Sequence, residues 1–285
     1  MNIIKNLVAV LLITTLFFSC KSKEQDKNKC KGIVFDLYSK AIRDTFKIDV
    51  QLPAEYAKNP NKQYPVAVVL DGNFYFPMLS AALKQYEEAG LLPPIILVGV
   101  GYRSFKVMDS LRNRDYLYPA PLKSDETSSS GGGLNFYSFI TQELIPKIDG
   151  DYRTKKEDKT LLGHSFGGYF SLFALLQQIQ NHQPVFKNFV AASPSTWYHN
   201  FYLNQLPHLL KKEQQSPGVS VFLSAGSLEN DQWEIQPVIK FGKQLDSVKV
   251  AGLMSETEIY NSLHHMDTGL ITFIRGLQKC YPVPQ

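Results

Sequence analysis

The rhythm of hydrophobic and polar positions changes along this chain, and the changes mark its elements. Phe46-Lys47-Ile48-Asp49-Val50-Gln51-Leu52 alternates apolar and polar residues, as a strand buried on one face must. With the strand-like run at 33–38 it predicts an antiparallel pair at a sheet edge. From Tyr64 the alternation gives way to unbroken apolar runs at 64–70 and 94–100. Strands covered on both faces read this way, so the sheet centre is expected to be parallel. Further strands are predicted at 160–162, 189–192, 219–224 and 255–260. Residues 77–89, 135–148, 235–245 and 269–279 read as helices, the second with Phe136, Phe139, Ile140 and Leu144 on one stripe. Strands alternating with helices imply right-handed crossovers and a doubly wound α/β sheet. One stretch, 122–133, is polar and rich in Ser and Gly; it is expected to be a long loop, either a lid over a site or a plain surface excursion.

The N-terminus follows another logic. Lys5 precedes an apolar run, 7–18, too short to span a bilayer comfortably, and the run ends at Ser19-Cys20. This resembles a bacterial lipoprotein signal, with cleavage before a lipid-modified Cys20; Phe17 departs from the aliphatic residue usual at its position. The expected organisation is a signal peptide at 1–19, a polar tether at 20–32 and a single domain at 33–285. It places the protein in the cell envelope, held to the membrane by lipid or, failing that, secreted. Export would permit a disulfide between Cys30 and Cys280, near the two ends of the mature chain; two unrelated thiols fit equally.

Composition narrows the class. The 285 residues are 44% hydrophobic and 12% aromatic, enough for one sizeable core. The formal charge is +4, several of the lysines lie in the first 32 residues, and no basic stripe with interleaved aromatics argues for nucleic acid. No C-x-x-C or His/Cys cluster points to a metal.

The segment Gly163-His164-Ser165-Phe166-Gly167-Gly168 lies between a short apolar run and a long one. A strand, this turn and a helix make the nucleophile elbow of an α/β-hydrolase. The glycines keep a tight bend clear, the bend lifts the Ser165 hydroxyl off the sheet, and the helix aims free N–H groups at any oxyanion formed beside it. A serine needs a base, and the base needs a group to fix its tautomer. In this fold class the order along the chain is Ser, acid, His. Glu229 and Asp231 follow the strand ending near Leu223, with Glu229 preferred for its position. His264 and His265 lie between the last strand and the last helix; position alone does not separate them. The oxyanion hole is assigned to the N–H groups of Phe166 and, from the loop after the first buried strand, Asn73. No cofactor is required.

The ordered set 64–72, Arg112-Asn113-Arg114-Asp115-Tyr116, Gly131-Gly132-Gly133, the elbow and Ser193-Pro194-Ser195-Thr196-Trp197 resembles the putative-esterase (esterase D-like) family of α/β-hydrolases, in its siderophore-esterase-like branch. The likeness runs from about residue 47 to 277. It implies a mostly parallel sheet with N-terminal antiparallel edge strands, and a serine esterase that works through an acyl-enzyme. It selects His265 over His264 by its spacing ahead of Gly276-Leu277, and favours Glu229 after Gly226-Ser227. It also implies substrate-side roles for Arg112 and Arg114, against which an internal ion pair with Asp115 competes, and for Trp197 and Tyr198, against which core packing competes. The partner is then a small-molecule ester. Acyl transfer on the same scaffold and an inactive surface-binding module are the alternatives.

Overall fold

The computed structural model describes residues 32–212 and 217–283. The expected signal, tether, Cys20 lipidation and Cys30 lie outside the described residues. In chain order the elements are β1 (Ile33–Ser39), β2 (Asp44–Gln51), β3 (Tyr64–Val69), α1 (Gly72–Glu88), β4 (Ile96–Gly101), α2 (Phe105–Tyr116), α3 (Gly133–Ser138), α4 (Ile145–Asp151), β5 (Thr154–His164), α5 (Phe166–Asn181), β6 (Asn188–Ala192), α6 (Tyr198–Phe201), α7 (Gln205–Lys212), β7 (Val219–Gly226), α8 (Gln236–Val248), β8 (Leu253–Tyr260) and α9 (His265–Cys280). One eight-stranded sheet runs β1-β2-β4-β3-β5-β6-β7-β8. The β1–β2 and β2–β4 pairs are antiparallel, and every pair from β4 through β3 to β8 is parallel.

The burial of the strands follows their sequence rhythm. Every residue of β3 and β4 is buried, matching their unbroken apolar runs, and so is every residue of β6, whereas β1 at the edge leaves Ile33, Val34 and Tyr38 exposed. Helices cover both faces. On one, Tyr75, Leu79 and Leu83 of α1 pack with Phe273 and Leu277 of α9 against Val69, Leu97 and Val190. On the other, Tyr116 of α2, Phe170 and Phe173 of α5 and Phe241 and Leu245 of α8 cover Val68, Val98 and Leu223. This is the α/β-hydrolase architecture the sequence pointed to, with its antiparallel edge.

Three departures have physical causes. α1 begins at Gly72, five residues before the expected start at Pro77. Pro77 forfeits one backbone bond, to the carbonyl four residues back, and the segment before it is held instead by the Asn73 side chain, which accepts from the Tyr102 N–H (2.6 Å) and donates to the Tyr102 carbonyl (2.8 Å). α2 was not read from the sequence because its apolar stripe is short. It is started by the Ser104 side chain, which accepts from the Val107 N–H at 3.2 Å, and it buries Met108, Asp115 and Tyr116. The helix expected at 135–148 is α3 and α4 joined through a π-helical segment, Phe139–Leu144, with Phe136 and Phe139 buried beside Phe46.

The polar loop is pinned. Ser129 donates to the Asn113 carbonyl (2.7 Å), Asn113 donates to Thr127 (3.1 Å), and the N–H groups of Gly132 and Gly133 bond the carbonyls of Arg114 and Leu117. Cys280 is partly buried near the end of α9, and burial pushes its thiol up to about 12.

Candidate active site

Ser165 occupies the single residue between β5 and α5, with φ 59° and ψ −120°. That conformation is costly for a residue with a Cβ and persists only where its surroundings impose it. Here they do. The Ser165 N–H donates to the Ala192 carbonyl at 2.9 Å, and the Ser165 carbonyl accepts from the N–H groups of Tyr169 (2.9 Å) and Ser195 (3.3 Å). A Cβ on Gly163 would run into the Gly167 carbonyl, so only glycine lets strand and helix close this tightly. Phe166 is the first residue of α5 and Asn73 lies in the first turn of α1. Such N–H groups have no carbonyl of their own helix to bond.

His265 opens α9, 29% exposed, and shares a cleft of about 200 Å³ with Ser165. Arg112, Phe105, Met108 and Met266 are among the other walls. The sheet makes the meeting possible. β5, β6, β7 and β8 run parallel, so the turns after β5, β7 and β8, which carry Ser165, Glu229 and His265, open at the same edge. His265 Nδ1 lies 2.8 Å from Glu229 Oε2, and the Glu229 side chain is fully buried. The other carboxylate oxygen of Glu229 accepts from the Ser193 hydroxyl at 2.6 Å and from the Gly226 N–H. Burial alone would raise the Glu229 pKa. The bonds from His265, Ser193 and Gly226 outweigh it and hold the carboxyl below its ordinary range. With Nδ1 turned to Glu229, Nε2 is the ring nitrogen left for a partner in the cleft.

His164 holds the backbone that carries this ring. Its Nε2 lies 2.9 Å from the His265 carbonyl, an acceptor, so Nε2 carries the hydrogen. The two rings are 4.6 Å apart. Burial, with the neighbouring His265, drives the His164 pKa down to about 3. His164 is therefore a neutral support. The Thr268 hydroxyl gives the same carbonyl a second bond at 2.8 Å.

The neighbours left open by sequence separate here. His264 is exposed at the N-cap of α9, where its N–H donates to Asp267 at 3.0 Å. Asp231 is exposed and accepts from the Gln236 amide at 3.0 Å, away from His265. A third carboxylate, behind Glu229 in distance, also reaches the ring. Glu234 Oε1 stands 3.3 Å from His265 Nδ1, while its Oε2 accepts the Asn230 N–H at 2.8 Å. Sequence reasoning missed Glu234 because its approach depends on a π-helical turn, Asp231–Ile235, that no apolar period announces. Glu229, Glu234 and His265 bring ligand-type atoms within 4.8 Å of one another. The bond between Nδ1 and Glu229 accounts for that closeness.

The expected substrate-side residues divide. Arg112 lines the cleft but is committed to Asp71 through two parallel bonds of 2.8 Å, with only 15% of its side chain exposed. Its guanidinium also lies over the Tyr116 ring, 5.3 Å from the centroid. Arg114 is placed elsewhere. It bonds both Asp115 oxygens (2.8 and 3.0 Å) and Asp44 (3.0 Å), the internal pairing that competed with a substrate role. Tyr198 is likewise corrected to a core residue, fully buried, with its hydroxyl donating to the Pro119 carbonyl at 2.7 Å. Trp197 lines a second cavity beside the first, and its ring lies 6.0 Å from that of Phe166.

The model of the family described as "Putative esterase" matches residues 39–278, and the chain belongs to that family. It is 34% identical over 184 residues to the ferri-bacillibactin esterase BesA of Bacillus subtilis, a match covering 60% of this chain and 62% of the relative. It is 31% identical over 180 residues to the apo-salmochelin esterase of Escherichia coli O6:H1, covering 58% and 53%. The chain thus spans less than two thirds of the length of these curated relatives. Among solved structures, the BES protein of Bacillus cereus is 28% identical with a TM-score of 0.74, over 88% of this chain and 96% of that one. The siderophore hydrolase EstA of Aspergillus nidulans, 20% identical with a TM-score of 0.75 over 87% and 93%, shares the fold.

Proposed function

We propose that this member of the esterase family hydrolyses carboxylic esters of the siderophore class through an acyl-enzyme on Ser165. The observation that carries the reading is a ring nitrogen of His265 bonded at 2.8 Å to a buried carboxylate, in a cleft shared with a serine in a strained backbone conformation. A serine hydroxyl is a weak nucleophile until a base removes its proton. His265 Nε2 takes that proton as Ser165 Oγ attacks the ester carbonyl. Glu229 keeps the hydrogen on Nδ1 and stabilises the imidazolium that forms. The N–H groups of Phe166 and Asn73 receive the oxyanion, in a site where donors are fixed before the charge develops. The imidazolium then protonates the departing alcohol. Water, with His265 as its base, releases the acid and regenerates Ser165.

The substrate class rests on what relatives are named for, ferri-bacillibactin and apo-salmochelin esterases among them. The test is a panel of a siderophore ester, a short acyl ester, a thioester and a plant-polymer ester, run on the parent and on Ser165→Ala. Turnover of the siderophore ester that disappears in the variant supports the reading. Equal rates in parent and variant overturn it.

A further inference from the structure

The two N–H groups assigned to the oxyanion lie on different segments. Asn73 follows β3 and Phe166 follows β5, and these strands are parallel neighbours. The ladder between them reaches the Leu70 N–H, which donates to the Leu162 carbonyl at 3.0 Å. Beyond it one segment turns into α1 and the other into α5, so the ladder no longer fixes the distance between the donors.

Arg112 bridges the gap. Its Nε and Nη2 donate to the two Asp71 carboxylate oxygens at 2.8 Å, and Nη2 also donates to the His164 carbonyl at 3.3 Å. Asp71 lies two residues before Asn73, and His164 two residues before Phe166. One planar guanidinium therefore grips both segments at the same remove from their donors. Each grip is backed by another bond. Tyr116, four residues on and on the same face of α2, accepts the Asp71 N–H on its hydroxyl at 3.0 Å. The Ser165 N–H, in one peptide unit with the His164 carbonyl, donates to the Ala192 carbonyl at 2.9 Å. A peptide unit is planar, so holding both its polar groups fixes its orientation. The guanidinium is itself steadied over the Tyr116 ring, 5.3 Å from the centroid, and lies 6.0 Å from the centroid of Phe166. Asp71 keeps a left-handed conformation, φ 52°, and its carbonyl accepts the N–H groups of Phe74 and Tyr75, so the Asn73 N–H stays outside the helical ladder. A lysine offers a point charge in place of this fork and cannot hold two segments in one plane.

We propose that Arg112 is a positioning residue for the oxyanion hole, its fork setting the distance between the Phe166 and Asn73 N–H groups. The inference rests on the esterase reading and adds a residue to it, whichever ester the site accepts. Arg112 acts through the backbone it holds and needs no contact with the substrate.

The test compares Arg112→Lys with Arg114→Lys in the full chain. Both lose a fork to a buried aspartate from the same helix, but Arg114 bonds Asp115 and Asp44 and neither Asp71 nor His164. Each enzyme is titrated for active sites with a fluorophosphonate taken to completion, then assayed on p-nitrophenyl butyrate. Each is also inhibited with trifluoromethyl propyl ketone. The Ser165 oxygen adds to the ketone carbon, its proton passes to His265, and the ketone oxygen is left as an alkoxide facing the two donors. Arg112→Lys should lose about 10–100-fold in kcat, as a misplaced donor does, with KM held within about twofold. Its affinity for the ketone should fall by the same factor. Arg114→Lys should keep both while its urea midpoint drops. Parent kcat and ketone affinity per active site in Arg112→Lys overturn the proposal, since a merely structural role lowers the urea midpoint alone. A raised KM at parent kcat, the mark of a substrate contact, overturns it too. If Arg112→Lys is not recovered folded, Asp71→Asn breaks the fork from the other side and decides by the same two readouts. A parent with no Ser165-dependent turnover defeats the esterase reading and this inference together, whereas a working parent with an unaffected Arg112→Lys defeats this inference alone.

Discussion

His265 and Glu229 are joined by a 2.8 Å bond from Nδ1 to Oε2, made where the carboxylate is fully buried and also bonded by Ser193 and Gly226. A carboxylate so held cannot turn to water, and the imidazole it holds cannot exchange tautomers without losing the bond. The relationship ties the turn after β7 to the start of α9.

Glu229→Gln removes the charge that steadies the imidazolium. Triads elsewhere lose about 10⁴ in kcat on such a change. Here Glu234 stands 3.3 Å from the same nitrogen, so the loss should be smaller, about 10²–10³ by the same reasoning. The double variant Glu229→Gln, Glu234→Gln should fall further, and Asp231→Asn should retain parent kcat. Steady-state kinetics on one activated ester checks all three. A Glu229→Gln enzyme as fast as the parent would remove the carboxylate from the mechanism.

Acid should destabilise the fold in two stages. His164 has an ordinary pKa of 6.5 and titrates near 3 when folded. Between those values the unfolded chain binds a proton that the native protein refuses, so stability falls as pH drops from about 6.5 towards 3. Glu229 adds to this lower down. Its folded pKa is depressed below 4.5, so its contribution is present above that value and is lost as pH falls through the folded one. Urea midpoints from pH 7 to 4 should decline, and His164→Asn should flatten the upper part of the slope. A parent midpoint constant from pH 7 to 5 would contradict the assignment of His164 as a buried neutral ring.

Arg112→Met leaves the Asp71 carboxylate buried without its partner. Breaking one side of such a pair typically costs about 3–5 kcal/mol. Arg112→Lys should recover only part of that, because an ammonium cannot supply two parallel bonds. Denaturant unfolding measures both. A full rescue by lysine would show that charge alone, not the fork, matters at this position.

Gly163→Ala should damage the elbow even though it adds a single methyl. The new Cβ meets the Gly167 carbonyl, backbone that cannot move without displacing the first turn of α5. The expected result is a large loss of activity with the rest of the fold retained by circular dichroism. Parent-like activity would mean that strand and helix have slack there.

Much of this architecture was legible in the residues themselves. The unbroken apolar runs of β3 and β4 announced a doubly covered parallel centre, and the alternation in β2 announced an antiparallel edge strand. The elbow was legible because strand, glycine-flanked serine and helix are contiguous. Glu229 and His265 were nominated by chain order and resemblance, and their separation from Asp231 and His264 depends on tertiary packing that no local pattern encodes. Glu234 was invisible because a π turn carries it to the ring. Arg114 and Tyr198 stayed open between two readings for a related reason: a charged or aromatic side chain looks the same in sequence whether it faces a substrate or, as here, Asp115 and the Pro119 carbonyl.

The central claim is that His265 activates Ser165 for covalent attack. Intact-mass and peptide mass spectrometry after reaction with a fluorophosphonate measures it most directly. The account predicts one adduct, on Ser165, forming at least about 100-fold more slowly in His265→Ala, the lower end of what a general base contributes. An unlabelled Ser165, or an adduct that forms as fast without the imidazole as with it, would contradict it.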